Sequence, residues 1–426
     1  MSQSFTVCVC APRPPVHRAP WLVRTHYAMP MFDDATAAQS KRASRGRMRG
    51  HNVNTSLPRR FKASARHHMW AGANSTTSLV RVLITGVTGM IGSNVAAVLL
   101  ARVPLGGVDL PAVQLYGMAR FRSDMRMFQA LVPQENVVTI LRGDLDDPAS
   151  VSNVVAQSKP HIVFHFGAQA YNGVSWSAPS LTMQTNIIGT LNLLEALRAA
   201  DLTTTRVLMA ASSAQYGAGI ALLKDPTAPF PETTEQKPLS PYGVSKAAME
   251  LLGRQYGANF GMPIMYARLF PQCGLGQSEE LAIQSFTKQV AMVEKGLLPH
   301  VQVGNLQTLR DYSDVEESAV GLAHLAFRGI PNEAYNFASG RAHRMQEILD
   351  MAINIAKRPI PVRTDPARMR ASDEALLLGN ASKVWTLLGW KPRHDLHRSV
   401  RRILKYWRTQ VADEHRDKSF NTGEKQ

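Results

Sequence analysis

The run SLVRVLITGVTGMIGSNVAAVLLARV, residues 78–103, reads as a strand, a glycine loop and a helix in immediate succession. Its first third is apolar and β-branched up to Thr85, and its last third, from Ser93 onward, carries apolar residues at helical spacing. Between them lie Gly86, Gly89 and Gly92. In such a loop the first glycine allows the tight turn, the second lets backbone approach a pyrophosphate, and the third lets the helix pack closely. Phosphates would sit at the helix N-terminus, on the first turn with Met90 and Ile91, where unpaired N–H groups and the helix dipole favour anions. The loop therefore predicts a bound dinucleotide.

Outward from this segment the same rhythm repeats. AVQLYGMAR, VVTILRGDL, HIVFHFGAQ and RVLMAASS are short β-rich runs separated by polar or helical stretches. TMQTNIIGTLNLLEALRAA is expected to form one crossover helix and SKAAMELLGRQYGANFG another. This alternation predicts an α/β fold, a Rossmann-like doubly wound parallel sheet spanning 79–270. After Pro271 the pattern loosens into IQSFTKQVAMVEKG, short strands, EILDMAINIAKR and HRSVRRILKYWRTQ. Residues 271–412 are therefore expected to form mainly a smaller, mixed α/β substrate-binding lobe, with some segments returning to the first domain, and 413–426 to be a frayed tail.

Charge separates a further region. Residues 1–78 hold twelve Arg and Lys residues against Asp33 and Asp34, a surplus of ten out of the net +16 of the 426-residue chain. With SKRASRGRMRG and PRRFKASARHHMW, this extension is basic, almost free of acids and without apolar periodicity, so it is not expected to fold. It reads either as an organelle transit peptide or as an over-long gene start ahead of Met48 or Met69, and only distantly as a nucleic-acid arm. No apolar run approaches the roughly 20 residues of a bilayer crossing. Three cysteines, Cys8, Cys10 and Cys273, are too few for a disulfide framework or a zinc site. These features predict a soluble, cytoplasmic protein unless the extension targets it elsewhere, with no metal, membrane or nucleic-acid partner.

Two further motifs supply chemistry. RVLMAASS ends in Ser212 and Ser213, and Tyr242 and Lys246 stand one turn apart in a helix opened by Ser240-Pro241. A phenol titrates near 10 and is a poor acid-base group at neutral pH unless a cation stabilises its anion, which Lys246 is placed to do. At the end of the second strand, GMARFR carries Arg120 and Arg122 and no acid. A carboxylate there would bind the adenosine ribose, whereas arginine accommodates a 2′-phosphate, so NADP(H) is favoured over NAD(H). Asp144 in GDL either faces adenine or simply forms the turn.

Together with HFGAQA (165–170), TNIIGTLNLLEA from Thr185 and RDYSDV from Arg310, these motifs resemble the extended short-chain dehydrogenase/reductases that act on nucleotide sugars, over roughly Val82 to Trp407. GQSEELAIQSFTKQVAMVEKG, VGNLQTLRDYSDV and MRASDEALLLGNASKVWTLLGWKP are most similar to the family's GDP-mannose branch, which holds 4,6-dehydratases and 4-keto-6-deoxy sugar reductases. The resemblance implies that Tyr242 is the acid-base, that Lys246 holds the nicotinamide ribose and lowers the tyrosine pKa, and that Ser212, with Ser213 as neighbour, binds the sugar C4 oxygen. It places Leu145, Phe166 and Ala168 on the cofactor side and Gln169 and Asn186 on the substrate side. Arg310 would meet the substrate diphosphate, Asn305 the nucleotide, and Arg370 the guanosine or its ribose. It also implies a homodimer pairing the TNIIGT and YGVSK helices.

Two positions depart from the branch. The dehydratases place a glutamate two residues before the tyrosine of their YG pair, where this chain has Ala214, and the family's Phe-Asn reads Phe270-Pro271. The leading expectation is NADPH-dependent reduction of a GDP-4-keto-6-deoxyhexose at C4. The alternatives are a GDP-mannose 4,6-dehydratase or related epimerase, and a non-catalytic nucleotide-binding protein.

Overall fold

The computed structural model describes residues 79–132, 138–369 and 374–423. The basic extension and Arg370 lie outside these ranges. Strand β1 (Val80–Thr85) leads through the glycine loop into helix α1 (Met90–Ala101). Then follow β2 (Val113–Ala119), β3 (Val138–Arg142), α2 (Pro148–Ser158), β4 (Ile162–His165), α3 (Gly189–Ala199), β5 (Arg206–Ser212), α4 (Pro241–Phe260) and β6 (Ile264–Leu269). Beyond them come α5 (Ala282–Glu294), α6 (Val315–Arg328), β7 (Ala334–Phe337), α7 (Met345–Ile353) and α8 (Leu396–Gly423).

The seven strands form one parallel sheet in the order β7-β6-β5-β4-β1-β2-β3. The chain winds outward from β1 in one direction, then crosses to β4 and winds in the other. The resulting crevice, at the carboxyl ends of β1 and β4, is where open α/β sheets bind ligands. Each strand feeds both faces through its two-residue period. Val82, Ile84, Leu208 and Ala210 enter one apolar core, while Leu83, Val207 and Met209 enter the other. A third core, with Phe286, Val290, Leu349, Ile403 and Leu404, joins α5, α7 and α8 in the smaller lobe. Helix α6 and β7 come from the lobe's stretch of sequence but complete the large sheet.

Two local expectations change. The crossover segment is helical but not one regular helix: Pro179–Met183 passes into a π-helical turn at Gln184–Ile188 before α3 begins. The extra residue in that turn has a partner-driven cause, because Asn186 is drawn inward onto the backbone of Gln169 and the hydroxyl of Ser245. At the other end of the chain, where 413–426 reads as frayed, α8 continues to Gly423.

Candidate active site

The glycine loop opens the crevice. Gly86 has φ 67°, a left-handed conformation, and a Cβ there would lie 2.7 Å from the Gly167 nitrogen. Any side chain would push the ends of β1 and β4 apart. A Cβ on Gly92 would collide with the Gly86 carbonyl, so the third glycine closes the loop on itself, a tighter constraint than packing against the sheet. Gly89 caps α1 with no side-chain hydrogen bond, and the first-turn N–H groups, those of Met90 and Ile91 among them, have no partner within the helix. This cradle fits the pyrophosphate of a dinucleotide by shape and by dipole.

Beneath it, buried His165 ties the switch point together. Its Nδ1 is 2.9 Å from Thr85 Oγ1 and its Nε2 is 2.9 Å from Thr190 Oγ1. Thr85 Oγ1 in turn accepts from Gly167 N, and Thr190 donates to the Asn186 carbonyl. Burial, reinforced by the positive charge of Lys246, holds the imidazole down at about 3, so it stays neutral. It works as a brace.

The other expected cofactor residues surround this point. Phe166 N donates to Thr85 O, and the buried Leu145 side chain fills the space beside Gly167 and Gly189. Ala168 is partly buried in the same loop. Asp144 accepts from Asp146 N, so its carboxylate forms the turn. Arg120 and Arg122 are exposed at the carboxyl end of β2.

Ser212, Tyr242 and Lys246 are brought together by two elements. Ser212 ends β5, its N–H held by Gln215 Oε1 at 2.8 Å, and its hydroxyl accepts from Ala214 N. Ser240 caps α4 through Gly243 N, and Pro241 fixes the first helical turn, so Tyr242 and Lys246 share one face. Burial raises the Tyr242 phenol above its ordinary 10.0, and a hydrogen bond from Ser212 partly offsets this by favouring the anion. Lys246 Nζ donates to Ala210 O at 2.8 Å and lies 5.9 Å from the Tyr242 ring centre. Its burial lowers the ammonium from 10.5 to about 8, which still leaves it charged at neutral pH. Ser213 is buried in the short turn Ser213–Gln215, and Ala214 is the least buried residue of 212–217.

The substrate-side residues divide. Asn186 is 1% exposed, with its amide committed to Gln169 and Ser245. Ser245 donates to the Tyr242 carbonyl, so Asn186 braces the helix that carries Tyr242 and Lys246. Gln169 likewise spends its side chain on Tyr171 and Thr182. Asn305 accepts from Gln307 N, and Arg310 NH1 donates to the carbonyls of Leu309 and Glu374. Neighbouring Asp311 gathers the backbone N–H groups of Ser339, Gly340 and Gly379, fixing two loops beside Arg310.

The residue that motif reading missed is Glu250. It is fully buried and receives Arg268 through two bonds of 2.9 and 2.7 Å, Arg254 at 2.8 Å and Gln215 Nε2 at 2.9 Å. Through Gln215 this network reaches Ser212, and through Arg268 it reaches Tyr216, whose hydroxyl donates to Asn336. A signal was present: Tyr242, Lys246, Glu250 and Arg254 repeat every four residues on α4.

Comparison with known proteins places this geometry. The family model for GDP-mannose 4,6-dehydratase matches residues 83–403. The chain belongs to that family. A GDP-6-deoxy-D-mannose reductase of Pseudomonas aeruginosa is 30% identical over 78% of this chain and 99% of its own length. A GDP-mannose 4,6-dehydratase of Vibrio cholerae is 27% identical over 73% of this chain and 89% of its own. The structure of RMD from Pseudomonas aeruginosa complexed with NADPH superposes with a TM-score of 0.64 at 26% identity, covering 78% of this chain and all of that one.

Proposed function

We propose that this family member is an NADPH-dependent reductase of a GDP-4-keto-6-deoxyhexose. The observation that carries this reading is the set of Ser212 and a neutral Tyr242 phenol over charged Lys246, at a turn whose most open side chain is the methyl of Ala214. The Gly86–Gly92 loop would hold the dinucleotide, whose dihydronicotinamide would supply hydride to the carbonyl carbon. Ser212 and Tyr242 hold the C4 oxygen, and the Tyr242 proton moves onto it as charge develops there. Lys246 then faces a phenolate, stabilises it, and the phenol regains its proton from solvent. Burial, which keeps the phenol protonated in the resting protein, presets it as an acid, the form that reduction consumes.

Dehydration also requires a group to remove the C5 proton and one to expel the C6 hydroxyl. Ala214 can do neither, and the nearby Glu250 carboxylate is enclosed by Gln215, Arg254 and Arg268. The lower identity to the dehydratase than to the reductase supports the same choice. Arg310 and Asn305 are proposed to meet the nucleotide diphosphate, Arg310 by exchanging a carbonyl partner for phosphate. Leu181 and Ile188 before α3, and Val244 and Leu251 on α4, are exposed apolar side chains, which supports pairing of two copies through these helices.

The test is to supply NADPH with a GDP-4-keto-6-deoxy sugar and, separately, GDP-mannose without added reductant. Loss of dihydronicotinamide absorbance with formation of a C4 alcohol supports the reductase. Robust release of 4-keto sugar from GDP-mannose overturns it in favour of the dehydratase.

A further inference from the structure

Arg142, the last residue of β3, takes no part in the mechanism above. It stands opposite Ala119, the last residue of β2, so its side chain emerges beside the segment Arg120–Arg122. Its NH1 donates to Arg120 O at 3.0 Å, and its guanidinium lies 5.8 Å from the ring centre of Phe121, an aromatic left 84% exposed. These two contacts hold the planar group in place while leaving its Nε and NH2 without a hydrogen bond among the described residues.

Arg120, Arg122 and Arg142 thus concentrate three exposed cations at one sheet edge, and among the described residues none is paired with a carboxylate. The acid of this loop, Asp124, is bound to Arg126 at 2.6 Å. The edge also adjoins the glycine cradle: a Cβ on Gly117 of β2 would lie 2.7 Å from Val87 Cγ1, and Leu145 lies against Gly167, the neighbour of Gly86. Three like charges at the rim of a cradle shaped for a dinucleotide favour a multiply charged anion over a singly charged one. A single exposed arginine after a strand is ordinary surface, but a second, anchored on an adjacent strand, makes a fork.

We propose that Arg142 is the second arm, with Arg120, of a clamp for the 2′-phosphate on the cofactor's adenosine ribose. The inference rests on the reading of NADPH as cofactor and adds the residue from β3 that sets the preference. Arg142 supplies its Nε and NH2 donors to phosphate oxygens, and Phe121 limits the rotamers the guanidinium loses on binding.

The experiment measures dissociation constants of the full chain for NADPH, NADH, 2′,5′-ADP and 5′-AMP by calorimetry or fluorescence, so no sugar substrate is needed. Arg142→Ala should weaken NADPH and 2′,5′-ADP by about 10–100-fold, the usual range for a charge-assisted hydrogen bond, and leave NADH and 5′-AMP within about threefold. Arg142→Lys should restore part of the loss. Equal weakening of all four ligands would mean a structural staple, and unchanged NADPH binding would mean a bystander; either overturns the proposal. If the parent chain binds 2′,5′-ADP no better than 5′-AMP, the NADPH reading fails as well. If it discriminates and Arg142→Ala still does, the clamp alone fails.

Discussion

Glu250→Gln keeps the volume of the side chain and removes its charge, which makes it the sharpest probe of the support beneath Ser212. In the parent, burial of the carboxyl would raise its pKa, but the hydrogen bonds and charge of Arg268, with Gln215 and Arg254, outweigh burial and bring it from 4.5 to about 2. A carboxylate depressed in the folded state stabilises the fold fully above its unfolded value and loses that contribution as pH falls toward the folded one. A lowering of this size is on the order of 3 kcal/mol. Removing one partner of a buried pair costs about 3–5 kcal/mol, because Arg268, 4% exposed at its side chain, would be left uncompensated. The two routes agree. Urea unfolding at pH 7 should therefore show Glu250→Gln about 3 kcal/mol less stable. Between pH 5 and pH 2 the parent should lose stability steeply, while the variant's curve flattens and converges on it. A loss under ~1 kcal/mol, the level of exposed pairs, or parallel pH curves, would refute the argument that Glu250 carries a buried charge.

Tyr242→Phe should lower kcat by two or more orders of magnitude in a steady-state assay while leaving the Kd for NADPH nearly unchanged, because the phenol proton is used in the chemical step. Lys246, lowered to about 8 by burial, is charged below that pH and neutral above it, so kcat/KM should fall on an alkaline limb near 8; a profile flat to well above pH 9 would show that its charge is not needed. Leu251→Glu, on the exposed face of α4, should shift the sedimentation coefficient from dimer to monomer without lowering the melting temperature of the protomer by more than a few degrees.

How much of this was legible in the chain depends on whether the signal is local. The glycine loop, the Ser212 pair and the Tyr242-Lys246 turn are short segments whose spacing maps directly onto strand, loop and helix, and each lies where its spacing predicts. The parallel sheet follows from the alternation of elements, whereas its strand order is read from the structure. Asn186 and Gln169 read equally well as polar groups facing a ligand. Only the fold shows that they face each other and Ser245, because a π-helical turn with no motif of its own rotates Asn186 inward.

The sequence by itself determined the α/β class, the glycine loop between β1 and α1, and the placing of Tyr242 and Lys246 on one helix face, since these depend on backbone freedom and helical periodicity over a few residues. Tertiary structure decided which polar groups are free to act. Glu250 lies one turn beyond Lys246, yet its partner Arg268 is on β6, and Arg142 meets Phe121 across two strands. Hydrogen bonds and charges are satisfied through space, so whether a side chain braces the site or works in it is settled by neighbours that can stand a hundred residues away along the chain, as Asn336 does from Tyr216.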